Sequence, residues 1–286
     1  MQIEHRSART NGISLHVAEC GPEDGPLLLL LHGFPEFWYA WRQHMPLLAA
    51  AGYRVVAPDL RGYNLSDRPT DIADYGLEVL GRDVTGLIDA YGRDRAFVVG
   101  HDWGGALTWR VAQAHPERVI SAAAINCCHG DVLRRAALTR LSQARRSWYI
   151  LFFQLPWLAD KWLATDGFER LSRVLVSTSA RNTFSAEDLA AYRAAWGQPG
   201  AITAMLSWYR AALRHPAPKP ERERIAAPFL LIWGDADHAL GFELTGPSLA
   251  LCDDGHLERV VGASHWVHLE QVEQVCASLI AFFKDR

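Results

Sequence analysis

The sequence predicts an α/β protein, in which a mostly parallel, twisted sheet is flanked by helices and interrupted by an inserted helical cap. Short and uniformly apolar runs such as Leu27–Leu31 and Phe229–Ile232 are typical of strands buried on both faces of a parallel sheet. These runs alternate with helical periods, except in one long central stretch that has helical periods only. We therefore expect a core domain of residues 1–127 and 225–286, and a helical cap, or lid, of residues 128–224.

The predicted strands follow one another along the chain, with turns or helices between them. Residues Ile13–Cys20 alternate between apolar and polar, which indicates a half-buried strand, whereas the later runs are continuously apolar. The expected strands are Ile13–Cys20, Leu27–Leu31, Tyr53–Pro58, Ala96–Gly100, Val119–Asn126, Pro228–Trp233 and Leu257–Val261. The expected core helices are one that ends at Ala51, Val79–Tyr91, one that begins after Asp102, and Val272–Phe283.

Composition argues against several classes of partner. The chain has 286 residues and a formal net charge of −3 with scattered basic residues, so we expect no nucleic-acid or anionic-membrane surface. Apolar runs such as Leu27–Leu31 are far too short to span a bilayer, and we expect no signal segment because the first residues form no apolar run. Five cysteines without framework spacing indicate free thiols in the cytoplasm. Their roles stay open, as does the oligomeric state, with a homodimer as one option.

The stretch Gly100–Gly105 carries the strongest chemical signal. A buried strand ends in Gly-His-Asp-Trp-Gly-Gly, and a helical pattern follows directly. Glycines on both sides of Asp102 let strand and helix approach closely, which forces that residue into an exposed and strained turn. A carboxylate at this point is ionised at neutral pH and can attack an sp³ carbon without the help of a base. The alternative is an aspartate that only caps the following helix.

A second loop, His32–Glu36, follows the first buried strand and bends through Gly33. Backbone N–H groups in such a bend can bind an anion above the sheet. The N–H groups of Phe34 and Trp103 are therefore candidates for an oxyanion hole. Pro35 is placed for a cis peptide bond in a tight turn. The alternative is an ordinary loop between a strand and a helix.

An attacking carboxylate becomes an ester, and hydrolysis of that ester requires a base and a group that orients the base. Asp237 and His265 each follow a predicted strand, and in a parallel sheet their loops lie at the same edge as Asp102. We select Asp237 over Asp235 as the orienting acid, and His265 over His268 as the base. The other histidines are interpreted as surface or structural residues. No grouping has the spacing of metal ligands, and we expect neither a metal nor a cofactor.

Together these motifs resemble those of the α/β-hydrolases, in the branch that contains epoxide hydrolases and haloalkane or haloacetate dehalogenases. The resemblance covers nearly the whole chain, and its motifs are His32–Pro35, Arg61–Ser66, Gly100–Gly105, Gly234–Asp237 and Ser264–Trp266. It implies an α/β-hydrolase fold with a cap, a nucleophilic aspartate at Asp102, and a catalytic triad completed by Asp237 and His265.

Within this branch, the cap distinguishes epoxide chemistry from halide chemistry. Epoxide hydrolases hold the epoxide oxygen with two cap tyrosines, one shortly ahead of a Phe-Gln-x-Pro segment and one in a Trp-Tyr-Arg segment. Tyr149 precedes Phe153–Pro156, and Tyr209 lies within Trp208–Arg210. The resemblance therefore implies that Tyr149 and Tyr209 are catalytic and that the chain converts an apolar epoxide and water into a vicinal diol.

Dehalogenases that use the same nucleophile are the main alternative. A haloacetate dehalogenase resembles this chain but binds its carboxylate with arginines, at positions where this chain has Trp103 and Ala106. A haloalkane dehalogenase binds the halide with the tryptophan after its nucleophile, present here as Trp103, and with a second N–H donor, where this chain has Phe34. Asp102 argues against a serine esterase. A non-catalytic binding protein is a remote alternative, because such a protein would be expected to lose a member of the triad.

Aromatic side chains predict an apolar substrate channel between cap and sheet. We expect Phe34, Trp103, Phe152 and Trp266 to bind the substrate. The expected partners are a small apolar epoxide and water, with no nucleic acid and no membrane.

Overall fold

The computed structural model describes residues 2–284 and 286, and its centre is one sheet of eight strands. The strands are β1 (Glu4–Thr10), β2 (Ile13–Cys20), β3 (Leu27–Leu31), β4 (Arg54–Pro58), β5 (Ala96–His101), β6 (Val119–Ile125), β7 (Phe229–Gly234) and β8 (Gly255–Val260). Their spatial order is β1-β2-β4-β3-β5-β6-β7-β8. Strand β2 pairs antiparallel with β1 and with β4, and the other neighbours pair in parallel. The predicted mostly parallel sheet is confirmed.

At least one α-helix follows β3 and each later strand along the chain. The α-helices are α1 (His44–Ala50), α2 (Leu77–Ala90), α3 (Trp103–Ala114), α4 (Gly130–Thr139), α5 (Leu141–Arg146), α6 (Trp148–Phe152), α7 (Leu158–Ala164), α8 (Glu169–Thr178), α9 (Ala186–Trp196), α10 (Ala201–Arg214), α11 (Thr245–Leu249), α12 (Val267–Glu270) and α13 (Val272–Phe283). Short 3₁₀ helices occupy Trp38–Trp41, Ile72–Tyr75, Pro116–Arg118, Thr165–Phe168 and Phe242–Leu244. Across the described chain, no helix is both long enough and apolar enough to cross a bilayer.

Two apolar cores cover the two faces of the sheet, and β3 contributes to both. Leu27, Leu29 and Leu31 pack into one core together with side chains of α2 and α3. Leu28 and Leu30 pack into the other core together with side chains of α1 and α13. Burial on both faces is the reason why this strand shows no alternation in the sequence.

Strand β1 is the strand that the sequence analysis did not predict. Most of its side chains are exposed, and only Ala8 and Thr10 are buried. An edge strand pairs on one side only and often carries charged residues, so it lacks the apolar pattern by which the inner strands are recognised.

The expected cis peptide bond between Phe34 and Pro35 is present.

Helices α4 to α10 form one insertion between β6 and β7, and we call this segment the helical insertion. It packs on loops that follow the carboxyl ends of β3 and β4. The buried indole of Trp196 donates to the carbonyl oxygen of Pro35 at 2.6 Å, and that of Trp208 donates to the carbonyl oxygen of Arg61 at 3.0 Å. These hydrogen bonds hold the insertion over the edge of the sheet where the predicted site residues lie.

Glycines allow β5 and α3 to meet in a sharp turn. A Cβ atom at Gly100 would lie 2.0 Å from the carbonyl oxygen of Gly104, and a Cβ atom at Gly104 would lie 2.0 Å from the carbonyl oxygen of Leu31. Both contacts are with backbone, which cannot move aside as a flexible side chain can. The turn therefore requires glycine at both positions, as the sequence predicts.

We expect Gly100→Ala to lower the free energy of unfolding by about 3 kcal/mol or more, because the added methyl group must separate β5 from α3. The matched control is Gly81→Ala in the interior of α2, where the nearest atom to the new Cβ lies at 3.8 Å. The control should stabilise the protein by about 0.4–1 kcal/mol. Urea unfolding followed by circular dichroism measures both changes, and equal stabilities for the two variants would contradict the prediction.

Candidate active site

Asp102 lies between the end of β5 and the start of α3, in a backbone conformation that residues other than glycine rarely adopt. Its φ is 49° and its ψ is −116°. Such strain costs of order 1–3 kcal/mol and persists only where the surroundings enforce it, here through the close approach of strand and helix. The turn lifts the carboxylate above the sheet edge and places it at the N-terminus of α3, where free backbone N–H groups stabilise negative charge.

The two oxygens of the Asp102 carboxylate have different surroundings. Oδ1 accepts a hydrogen bond from the backbone N–H of Phe34 at 2.9 Å. Oδ2 lies 3.7 Å from Nε2 of His265. The N–H of Trp103, the next residue in the chain, belongs to the first turn of α3 and has no acceptor within that helix. One oxygen is thus held by a donor of the predicted oxyanion hole, and the other faces the predicted base.

His265 and Asp237 form a short hydrogen bond, with 2.7 Å between Nδ1 and Oδ2. Asp237 follows β7 and His265 follows β8, so the sheet topology brings both loops to the edge that carries Asp102. The other oxygen of Asp237 accepts from the backbone N–H groups of Ala239 and Leu240, at 2.6 and 3.0 Å. The structure therefore brings the three residues selected from the sequence into one line of carboxylate, imidazole and carboxylate.

Electrostatics favour the charged form of His265. Burial by itself lowers the pKa of a histidine, but the charge of Asp237, its hydrogen bond and the charge of Asp102 raise the pKa of His265 to about 9. Burial likewise raises the pKa of Asp237, but His265 and the hydrogen bond from Asn126 outweigh it and leave that pKa below its ordinary value. At neutral pH the imidazolium therefore lies between two carboxylates.

Asn126 is a site residue that the sequence analysis did not single out. Its side-chain amide donates to Oδ2 of Asp237 at 2.8 Å and to the carbonyl oxygen of Gly234 at 3.1 Å, while its oxygen accepts from the N–H of Gly234 at 2.8 Å. These bonds fix the start of the loop that carries Asp237. A polar residue directly after a buried strand, at the edge where the other site residues meet, was the available signal.

The helical insertion also contacts the Asp237 loop. The buried Gln143 of α5 donates to the carbonyl oxygen of Ala239 at 3.0 Å and accepts from the N–H of Gly241 at 3.2 Å. Arg146 donates to the carbonyl oxygen of Asp237 at 2.8 Å. No sequence signal identified these two residues, because nothing in the pattern of α5 specifies which loop it covers.

A buried polar cluster of Glu36, His101 and His268 lies beneath the site. Oε2 of Glu36 contacts Nδ1 of His101 at 2.7 Å, and Oε1 contacts Nε2 of His268 at 2.9 Å. The other ring nitrogen of His101 lies 3.0 Å from the carbonyl oxygen of His265. Burial raises the pKa of Glu36, but both histidines outweigh this and hold the pKa well below its ordinary value.

These three residues offer potential metal-ligand atoms within 4.8 Å of one another, although their sequence spacing gave no sign of it. They come from three segments that are distant in the chain, namely the loop after β3, the end of β5 and helix α12. Each of the atoms already takes part in a hydrogen bond, so the cluster is explained as a support for the loop that carries His265.

The predicted tyrosines meet above Asp102 in an aromatic pocket. The rings of Tyr149 and Tyr209 lie 6.0 Å apart, and the ring of Tyr209 lies 5.0 Å from Trp103 and 5.3 Å from Phe34. Burial, and then the negative charge of Asp102, raise the pKa of both phenols well above the ordinary value. Both hydroxyls therefore stay protonated and can donate hydrogen bonds.

The other predicted substrate contacts lie at different depths. The ring of Phe152 packs against Trp162 at 5.6 Å, whereas the neighbouring Phe153 lies 5.6 Å from Phe34 and 4.9 Å from Tyr209. Because Tyr149 and Phe153 are four residues apart, they share a face of α6, which the sequence analysis did not use. Trp266 is almost fully buried, with its ring 5.2 Å from His265 and its indole donating to Thr178 of α8 at 2.9 Å.

Comparisons with known proteins agree with this geometry. Residues 26–272 match the family model described as the alpha/beta hydrolase fold. The chain is 42% identical to the AB hydrolase superfamily protein YfhM of Bacillus subtilis, covering 99% of each, and 34% identical to Epoxide hydrolase A of Mycobacterium tuberculosis, covering 97% of this chain and 96% of the relative.

Solved structures give the same result. One of them is a mutant of an epoxide hydrolase from Bacillus megaterium complexed with its product, (R)-3-[1]naphthyloxy-propane-1,2-diol. It superposes with a TM-score of 0.88 at 29% identity and covers 98% of this chain and 100% of its own. Epoxide Hydrolase A of Mycobacterium thermoresistibile superposes with a TM-score of 0.85 at 31% identity and covers 99% of each chain. The chain is a hydrolase and belongs to the α/β-hydrolase fold family.

Proposed function

We propose that this hydrolase opens small apolar epoxides to vicinal diols through a covalent ester on Asp102. The observation that carries the proposal is the pair of protonated phenols, Tyr149 and Tyr209, which meet above a carboxylate whose free oxygen faces a histidine. A halide leaving group needs no proton from two tyrosines, whereas an epoxide oxygen becomes an alkoxide that does. The relatives named as epoxide hydrolases support the same choice.

In the first step, Tyr149 and Tyr209 hold the epoxide oxygen, and Oδ2 of Asp102 attacks a ring carbon. A carbon–oxygen bond forms to Asp102 as the ring carbon–oxygen bond breaks, and its electron pair goes to the epoxide oxygen. One of the phenols gives its proton to that oxygen. The product of this step is a hydroxyalkyl ester, and Asp102 has lost its negative charge.

In the second step, His265 accepts a proton from water, and the resulting hydroxide attacks the ester carbonyl of Asp102. The oxyanion forms on Asp102 itself, where the N–H groups of Phe34 and Trp103 stabilise it; removing one such donor typically costs 100- to 1000-fold in rate. Collapse of this intermediate releases the diol and restores the carboxylate. Before water attacks, the charged His265 gives its proton to the tyrosinate, so the proton taken from water restores the imidazolium, and epoxide and water are converted to diol with no net change in the enzyme.

The pKa of His265 connects the two steps. In the free enzyme that pKa is about 9, so the imidazole is charged and cannot act as a base near neutral pH. Ester formation removes the negative charge of Asp102, which is one of the causes that raise the pKa. The pKa of His265 therefore falls at the stage when a base is required, and it stays high while Asp102 must remain ionised.

The surroundings of the site support the remaining parts of the proposal. Residues 128–224 act as a cap that supplies Tyr149 and Tyr209 and excludes bulk water. Phe34, Trp103, Phe153 and Trp266 provide apolar walls suited to aryl or alkyl epoxides, in keeping with the naphthyloxy product bound by the relative from Bacillus megaterium. The five cysteines are buried free thiols, which supports a reducing cytoplasm as the place of action.

Replacement of the base should trap the ester. We expect His265→Gln, exposed to a pool of epoxides, haloalkanes and fluoroacetate, to gain the mass of a whole epoxide in an intact-protein mass spectrum. The control is the double variant Asp102→Asn/His265→Gln, which should gain nothing. A gain equal to an alkyl or carboxymethyl group without its halide would make the protein a dehalogenase and contradict the proposal.

Removal of the phenol hydroxyls should slow ring opening. We expect Tyr149→Phe and Tyr209→Phe each to lower kcat/KM for an aryl epoxide, and the double variant to lower it by about 100-fold or more, since proton donation is typically worth 10²–10⁴-fold. Tyr192→Phe is the matched control, because its buried hydroxyl has no partner among the described residues. An unchanged rate in the double variant would contradict the assignment of the phenols.

Loss of the charge on Asp102 should lower the pKa of His265. We expect Asp102→Asn to give a pKa below the value of about 9 in the unmodified protein, because a neutral amide no longer stabilises the imidazolium. An NMR titration of the ring signals measures the shift, with the signals assigned by their disappearance in His265→Gln. Identical titration curves for the variant and the unmodified protein would show that the two residues are not coupled.

A further inference from the structure

The outer surface of helix α6, of the turn after it and of the first residue of α7 is apolar and exposed. Five large side chains form this surface, which we call the α6 outer surface. They are Trp148, Leu151, Leu155, Trp157 and Leu158, with exposed fractions of 60%, 70%, 48%, 84% and 57%. Single exposed apolar residues are common, but a contiguous group of this size in a folded protein marks a surface that contacts something else.

Helix α6 separates this surface from the aromatic pocket. Tyr149 and Phe153 point inward, where Phe153 lies 4.9 Å from the ring of Tyr209. Trp148 and Leu151 are three residues apart on α6 and share the opposite face, and Leu155 lies in the turn that follows the helix. The exposed apolar surface is therefore one helix away from the phenols above Asp102.

A cluster of arginines directly precedes the α6 outer surface in the chain. Helices α4 and α5 and the junction between them contribute five, namely Arg134, Arg135, Arg140, Arg145 and Arg146, all of them exposed. The acidic residue of this segment is Asp131, which contacts Arg134 at 3.3 Å. Arg135, Arg140 and Arg145 form no ion pair with any residue for which the structure gives a position. The chain as a whole carries a formal net charge of −3, so this positive region differs in sign from the rest.

We propose that the α6 outer surface docks on an anionic lipid bilayer. Tryptophan and leucine side chains would enter the boundary between headgroups and acyl chains, while the arginines contact lipid phosphates at the same depth. This combination of apolar and basic residues on a short helical segment is the arrangement that lies in a membrane interface without crossing it. Tryptophan is also the side chain most favoured at that boundary.

Charge selects the bilayer over a second copy of the chain. A two-fold contact through this surface would bring the unpaired arginines of both copies together, with only Asp131 of each segment to offset them. Anionic headgroups, in contrast, offer a negative partner to Arg135, Arg140 and Arg145, whereas Arg134 contacts Asp131 and Arg146 donates to the carbonyl oxygen of Asp237. The sequence analysis expected no anionic-membrane surface because basic residues are scattered along the chain as a whole; residues 134–146, which directly precede α6, nevertheless contain five exposed arginines.

Docking would have a consequence for substrate supply, and this consequence rests on the proposed function. Apolar epoxides dissolve preferentially in a bilayer, so contact there raises their concentration next to the cap. Helix α6 would then face lipid on one side and the aromatic pocket on the other. The binding itself does not depend on which substrate the enzyme uses.

The test is sedimentation with lipid vesicles, performed with the full chain. We expect binding to vesicles of phosphatidylcholine with phosphatidylglycerol to be at least tenfold stronger than binding to phosphatidylcholine alone, and to weaken with added salt. The variant Leu155→Ser/Trp157→Asn should lose binding at least tenfold; asparagine suits the positive φ of 63° at position 157. The variant Arg140→Gln/Arg145→Gln should lose roughly twentyfold or more, at about fivefold for each arginine.

Val261→Ser is the matched control, because Val261 is 79% exposed and lies outside the α6 outer surface. It should bind as the unmodified protein does. Absence of binding to anionic vesicles, or an equal loss in the control, would overturn the proposal. A dimer in size-exclusion chromatography that Leu155→Ser/Trp157→Asn converts to a monomer, without vesicle binding, would assign the surface to a second copy instead.

Hydrolysis of a water-soluble aryl epoxide, measured without vesicles, separates this proposal from the proposed function. We expect all three variants to keep the rate of the unmodified protein in that assay. Normal vesicle binding by a protein that hydrolyses no epoxide would leave the docking surface supported and the proposed function wrong.

Discussion

The interaction of His265 with two carboxylates is the one on which the rest of the site depends. Nδ1 contacts Asp237 at 2.7 Å, and Nε2 lies 3.7 Å from Asp102. Two negative neighbours hold the imidazole in its charged form, and loss of either charge changes its protonation state. Since a covalent ester removes one of these charges, the same geometry accounts for an ionised nucleophile before alkylation and a neutral base after it.

Much of the surrounding structure serves to hold this line of groups in place. Asn126 and Gln143 fix the loop of Asp237 from opposite sides, one from the sheet and one from the helical insertion. His101, held by Glu36, contacts the backbone of His265. Displacement of one loop would lengthen these hydrogen bonds, so the geometry of the site depends on residues that do not contact the substrate.

The helical insertion combines two environments in one short helix. The inner face of α6 contributes Tyr149 and Phe153 to the aromatic pocket, and its outer face exposes Trp148 and Leu151. A helix in the interior of a domain buries both faces. A helix that covers a substrate pocket has a free outer face, and in this protein that face is apolar and flanked by arginines, which is why it is a candidate for contact with lipid.

The sequence by itself determined the inner strands, the helical insertion, the turn at Asp102 and the order of Asp237 and His265, because each depends on local patterns or on the topology of a parallel sheet. Tertiary structure alone decided that the polar edge strand β1 joins the sheet and that Gln143 reaches the Asp237 loop. It also decided that Phe153, not Phe152, faces Tyr209. Contacts between elements that are distant in the chain produce no periodic pattern in the sequence, so only the packing of the folded chain specifies them.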